Sequence, residues 1–151
     1  MQRLNQEVVV DRVKTKESVI PGMRYRDAYA AIEWLCDVLE FERRLVVPDG
    51  AGGVAHAELT LGNGMIMLGS YRENDGDIVV APTPMGVLTQ NAYIVVSDIQ
   101  ASYERVRAAG ANIVSELEAQ SYGGSLFSVR DPEGQLWHVG SYDPWAGQDS
   151  G

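Results

Sequence analysis

Cysteine is nearly absent from this chain: Cys36 is the one cysteine in 151 residues. A single thiol excludes an intrachain disulfide and any zinc cluster built from cysteines. Histidine is almost as scarce, with His56 and His138 alone. Lysine occurs only as Lys14 and Lys16, so the body of the chain has little basic charge. From residue 20 onward 18 acids face 8 arginines, a balance of −10 against −9 for the whole chain. Nucleic acids and anionic membranes need basic surface, so neither is an expected partner. An acidic surface serves solubility and leaves room for a cationic or neutral small molecule. No apolar run reaches the roughly 18 residues of a transmembrane helix. The opening residues, MQRLNQEVVVDRVKTKES, lack the apolar stretch and small-residue cleavage site of a secretory signal. A reducing, cytoplasmic location is expected.

What the chain does contain is a copy of itself. Asp27 and Asp98 each close a short apolar run and open an amphipathic stretch, and they lie 71 residues apart. Sliding the chain by 71 superposes residues 20–72 on 91–143 with 8 identities in 53 pairs, where composition alone gives roughly three. Asp27, Ala30 and Glu33 fall on Asp98, Ala101 and Glu104; Gly52-Gly53 falls on Gly123-Gly124; Gly69-Ser70-Tyr71 falls on Gly140-Ser141-Tyr142. Each half reads as a strand, a helix and three strands. The first half is Ile20–Tyr25, Ala28–Leu39, Glu42–Val47, Val54–Leu61 and Met65–Ser70. The second is Asn91–Val96, Ile99–Ala109, Asn112–Glu118, Leu126–Arg130 and Gln135–Ser141. The two aspartates are N-cap residues, whose carboxylates accept the orphan N–H groups of a first turn. Ala31, Ile32, Leu35 and Leu39 share one helical face, as do Ile99, Tyr103 and Val106. Gly62-Asn63-Gly64 and Asp131-Pro132-Glu133-Gly134 are tight turns. The expected organisation is an N-terminal arm (1–19), a first module (20–72), a linker (73–90), a second module (91–145) and a tail (146–151).

Tyr25-Arg26-Asp27 followed by Ala30-Ala31-Ile32, and Phe127-Ser-Val-Arg-Asp131-Pro-Glu-Gly134-Gln-Leu-Trp137 followed by Tyr142-Asp-Pro-Trp145, resemble the vicinal oxygen chelate superfamily: glyoxalases, bleomycin-resistance proteins and extradiol dioxygenases. The resemblance spans about residues 18–145. It implies an α+β fold in which two βαβββ modules form an eight-stranded, partly open concave sheet with helices outside. It also implies a homodimer with ligands bound in the cup. Metal-using relatives place four ligands on the first and last strands of the modules, and here those positions are Ile20, Met67, Asn91 and His138. Only His138 is a good donor for Zn²⁺, Ni²⁺ or Fe²⁺, which need about three N, O or S ligands. No metal and no cofactor is expected.

Strand alternation gives the expected lining. Met65, Met67, Leu136, His138 and Gly140 share one face, with Arg24 and Tyr93 on the first strands. Ile66, Leu68, Trp137 and Val139 then face the helices. On Val54–Leu61 the apolar parity is Ala55, Ala57, Leu59 and Leu61, leaving His56, Glu58 and Thr60 for the other face. The candidate ligand-binding residues are therefore Arg24, His56, Met65, Met67, Asn91, Tyr93, Tyr122 and His138. His138 is the candidate catalytic residue, as a proton carrier; His56 and Glu58 form a possible acid/base pair. The methionines offer an adaptable wall, the tyrosines stack or donate a hydrogen bond, and Arg24 suits an anion or Glu58. Each has an ordinary alternative in packing, snorkelling or surface pairing. Two functions remain open: a metal-free small-molecule binder, or an enzyme of the glyoxalase type, either metal-dependent through His56, Glu58 and His138 or metal-free through His138.

Overall fold

The computed structural model describes residues 16–72 and 87–147. Most of the expected arm, linker and tail therefore lies outside the described residues. The element order is β1 (Gly22–Tyr25), α1 (Ala28–Leu39), β2 (Glu42–Pro48), β3 (Val54–Leu61), β4 (Gly64–Ser70), then β5 (Ala92–Val95), α2 (Ile99–Ala108), β6 (Asn112–Ala119), β7 (Ser125–Arg130) and β8 (Leu136–Gly140). This is βαβββ twice. The eight strands form two four-stranded mixed sheets, β1-β4-β3-β2 and β5-β8-β7-β6, in which the first and last strands of each module run parallel.

The same local physics starts both modules. Asp27 and Asp98 each accept the amide of the residue three positions on, Ala30 and Ala101, at 3.0 Å. A side-chain oxygen at this position satisfies a first-turn donor and contributes about 1 kcal/mol. The repeat extends to the strand ends. Ser70 Oγ accepts the Val54 amide at 2.8 Å, and Ser141 Oγ accepts the Ser125 amide at 2.9 Å. The amide of Asp49 donates to the Gly53 carbonyl at 3.0 Å, and that of Gln120 to the Gly124 carbonyl at 2.9 Å. All three pairs of bonds are related by the offset of 71, so the duplication seen in the letters is also a duplication of contacts.

The helices part at their ends. α2 gives way to Gly110 at φ +68°, where glycine carries no left-handed penalty. α1 ends instead on Glu40 at φ 62°, a non-glycine in the left-handed region, with its carboxylate 2.9 Å from Arg105.

α1 buries Ala28, Ala31, Ile32, Leu35, Val38 and Leu39. α2 buries only Ser102 and Val106, with Ile99 and Tyr103 at the margin of the core. β3 departs from strict alternation. It buries Val54, Ala57 and Leu59, not Ala55, because pairing with β2 slips between Val47 and Pro48 and leaves Ala55 as an extra residue. Such a bulge switches parity for the residues before it. Ile66, Leu68, Trp137 and Val139 pack on the helix side as alternation requires.

One core serves both modules: Phe41 meets Trp137 edge-on at 5.7 Å between ring centroids. A polar latch reinforces it. Asp131, 4% exposed, opens the Asp-Pro-Glu-Gly turn of the second module. Its carboxylate accepts Tyr25 Oη of the first module at 2.7 Å, Trp137 Nε1 at 3.2 Å, and the amides of Glu133 and Gln135 at 3.0 Å each. Burial raises its pKa above the usual carboxylate value, while the four donors act the other way. Two positions on, Glu133 accepts the consecutive amides of Arg26 and Asp27 at 2.7 and 2.9 Å. The turn thus ties the end of β1 and the start of α1 to the second module.

Candidate functional site

Each sheet turns one face to the helices, and no other described helix or strand covers the opposite, free face. On the first module the free face is fixed by register: Gly22 pairs with Met67, Arg24 with Gly69, Glu58 with Met67, and Thr60 with Met65. Arg24, His56, Glu58, Met65 and Met67 share this face. The Arg24 guanidinium lies over Gly69, where an added Cβ would sit 2.5 Å from Nη1. Only glycine lets the arginine lie this close to the sheet. His56 Nε2 is 3.1 Å from Glu58 Oε2, and Arg44 Nε is 3.3 Å from the other carboxylate oxygen. These contacts, His56 first and Arg44 after it, hold Glu58 below its usual range. Arg24, Ala55, His56 and Met67 wall a cavity of about 260 Å³.

The second module builds its free face differently. His138 stands between Tyr93 on β5 and Ser128 on β7. Its Nδ1 is 2.6 Å from Ser128 Oγ, and Ser128 is buried. The Tyr93 ring lies across Gly140, at a spot that any Cβ would occupy. The Tyr93 hydroxyl donates to the Tyr142 carbonyl at 2.5 Å, and Tyr142 meets Tyr122 edge-on at 5.2 Å. Partial burial pushes the Tyr93 phenol up. Tyr93, Tyr122 and Tyr142 therefore form an aromatic group with substantial exposure.

The structure brings some of the expected residues together and separates others. Arg24, Asn91, Tyr93 and Leu136 wall a cavity of about 510 Å³ that spans both modules. Met65 joins Tyr93 in a third cavity, of about 670 Å³. His138 and Tyr122 wall none of these three. Three partners were not anticipated: Ser128, Arg44 and Tyr142. Ser128 was open to inference, because the turn at Asp131 sets the hairpin register that puts it opposite His138.

The donor set does not fit a resident metal. Ile20 is a hydrocarbon, Met67 a thioether, Asn91 an exposed amide, and His138 has one nitrogen engaged by Ser128. Among the described residues no group of three or more His, Cys, Asp and Glu side chains is placed to hold an ion. His56, Glu58 and His138 thus do not form such a group within one chain.

Residues 18–139 match the sequence profile of the Glyoxalase/Bleomycin resistance protein/Dioxygenase superfamily. The chain belongs to this superfamily. An uncharacterized protein of Mycobacterium bovis is 27% identical over 129 residues, with 85% of each chain covered. The crystal structure of TioX from Micromonospora sp. ML1 is 30% identical, with a TM-score of 0.66, over 83% of this chain and 98% of that one. A glyoxalase/bleomycin resistance protein/dioxygenase from Nocardioides shares the fold at 15% identity, with a TM-score of 0.63, over 91% and 92% of the two chains. No described helix of this superfamily member is long and apolar enough to cross a membrane.

Proposed function

We propose that this superfamily member is a small-molecule binder that works without a resident metal and takes a flat, largely aromatic ligand on the free faces of its sheets. The observation that carries the reading is the cavity of about 510 Å³ walled by Arg24 from the first module and Asn91 and Tyr93 from the second. Its size lies within the range of small-ligand sites. It combines a cation, an amide and a ring, enough to orient a planar molecule. The chain's acidic balance favours a cationic ligand at long range, but Arg24 in the wall favours a neutral or anionic one at contact. The poor donor set argues against a metal-dependent lyase, isomerase or dioxygenase. Two chains pair in this reading, each adding its free faces to a shared cup. The free, half-buried Cys36 suits a reducing cytoplasm.

The test is calorimetric titration with 2-naphthol, 2-naphthoate and the 2-naphthyltrimethylammonium cation, before and after dialysis against a chelator. Binding of the naphthol and the naphthoate is expected to survive dialysis. Arg24→Met is expected to weaken naphthoate about tenfold, in line with one charge-assisted hydrogen bond. No binding by any probe, or binding that returns only with added Zn²⁺ or Ni²⁺, refutes the reading. A monomer by light scattering at micromolar concentration refutes the pairing.

A further inference from the structure

The two histidines have different kinds of partner, and the difference has chemical consequences. Ser128 is a hydroxyl, which donates or accepts, so its contact with His138 leaves that ring's tautomer open. Glu58 is an acceptor when ionised, and His56 and Arg44 both favour its ionised form. The nitrogen facing it, His56 Nε2, is therefore the one that carries hydrogen. In the neutral ring the lone pair is then at Nδ1. A carboxylate behind an imidazole both orients it and steadies the imidazolium that forms when it takes a proton. Arg44, on the outer carboxylate oxygen, holds Glu58 in place. His56 shares the wall of the cavity of about 260 Å³ with Met67 and Arg24.

We propose that His56, oriented by Glu58, is a metal-independent general base on β3 that removes a proton from a flat aromatic substrate while Arg24 stabilises an oxyanion leaving group. The class of reaction is a base-promoted elimination. His56 Nδ1 takes the proton from carbon. The electron pair of that C–H bond forms a new π bond, and the bond to oxygen breaks, with its pair departing on that oxygen. Arg24 faces the negative charge as it develops, and the imidazolium afterwards gives its proton to water. No oxidant, metal or co-reactant enters. His56 is the catalytic residue; Glu58 and Arg44 are positioning residues. The proposal rests on the reading that the free faces hold the ligand.

The probe is 5-nitrobenzisoxazole, a neutral aromatic bicycle in which proton loss from carbon breaks the ring N–O bond and releases a coloured phenolate. The dialysed full chain is expected to give saturable release, faster than the same concentration of free imidazole. His56→Gln should lower kcat about 100-fold or more, the usual scale for a positioned base. Glu58→Gln should lower kcat about tenfold with KM unchanged, which a general loosening of the fold would not do, and Glu58→Asp should restore part of it. His56 is 41% exposed, so its replacement leaves the core intact; matching melting temperatures check this. A rate no higher than imidazole, or one that His56→Gln retains, overturns the proposal. If the probe displaces naphthoate without reacting, the base is refuted while the binding reading stands. If none of the naphthyl probes binds, the binding reading itself falls.

Discussion

Tyr25→Phe isolates one bond of the latch between the modules. Tyr25 is fully buried, and its hydroxyl lies 2.7 Å from Asp131 Oδ2. The substitution keeps the ring, so packing in the core is unchanged. It removes a hydrogen bond to a charged acceptor, a loss of about 1.5–3 kcal/mol. Asp131 keeps Trp137 Nε1 and two backbone amides, so its carboxylate is not orphaned. The expected loss is about 2 kcal/mol, or about 4–8 °C in Tm for a domain of this size. Asp131→Ala is more severe, about 3–4 kcal/mol, because it strands the tyrosine hydroxyl, the indole N–H and two amides. In that background Tyr25→Phe should cost almost nothing, since the hydroxyl it removes already lacks its acceptor. The assay is urea unfolding at pH 7 of the wild type, both single variants and the double variant. The expected coupling is about 2 kcal/mol. A Tyr25→Phe loss below about 0.5 kcal/mol, or the same loss in both backgrounds, would show that the latch does not join the modules energetically.

Three further outcomes follow from single observations. Glu40→Gly should raise stability by about 0.5–1 kcal/mol, because Glu40 ends α1 at φ 62° and glycine takes that conformation without penalty; Glu40→Gln, which loses only the exposed Arg105 pair, should be near neutral in thermal melts. Gly140→Ala should push the Tyr93 ring off the sheet, break its bond to the Tyr142 carbonyl and weaken naphthoate binding, at a stability cost under about 1.5 kcal/mol, since an exposed side chain can swing away; unchanged naphthoate affinity would remove Tyr93 from the site. Glu58 is held below its usual pKa, so its contribution to stability is present above the unfolded carboxylate value and is lost as pH falls through the folded one. As pH falls below about 4.5 the wild type should therefore lose more stability than Glu58→Gln, read by urea midpoints.

Much of the architecture was legible in the letters, and for physical reasons. Asp27 and Asp98 fix helix starts through a bond three residues long, and Gly110 fixes a stop through its own φ, so both can be read locally. Alternation on β4 and β8 sorted Met67 and His138 from Leu68 and Val139 because those strands run without irregularity. β3 defeated alternation at Ala55, where pairing with β2 slips between Val47 and Pro48, a feature set by another strand rather than by Ala55's own neighbours. The latch was hidden for a different reason. Tyr25 and Asp131 are 106 residues apart, and nothing near either one marks the other. The Asp-Pro-Glu-Gly run read as a turn, and it is one, but its first residue also holds the modules together. At the site, the set of face residues was recoverable, and so was Ser128 opposite His138 through the hairpin register, whereas Arg44, the partner of Glu58, lies at a slip in the pairing of β2 with β3 that no local signal marks.

The pattern of sameness and difference between the two modules bears on what they do. The bonds that build each module recur at the offset of 71: the aspartate caps, the serine oxygens that hold the strand ends, the loop before β3 and its counterpart before β7. The free faces do not recur. Gly22 stands where the second module has Tyr93, Arg24 where it has Val95, and Met67 where it has His138. Glycine at 69 and at 140 is common to both, yet an arginine lies over one and a tyrosine over the other. A duplicated scaffold with unlike faces presents one cationic half and one aromatic half. In the proposed reading, such a pair would discriminate between the two ends of a ligand, as two identical faces could not. In the same reading, proton chemistry falls to the first module, where the imidazole has an anionic partner, and stacking to the second, where the rings are.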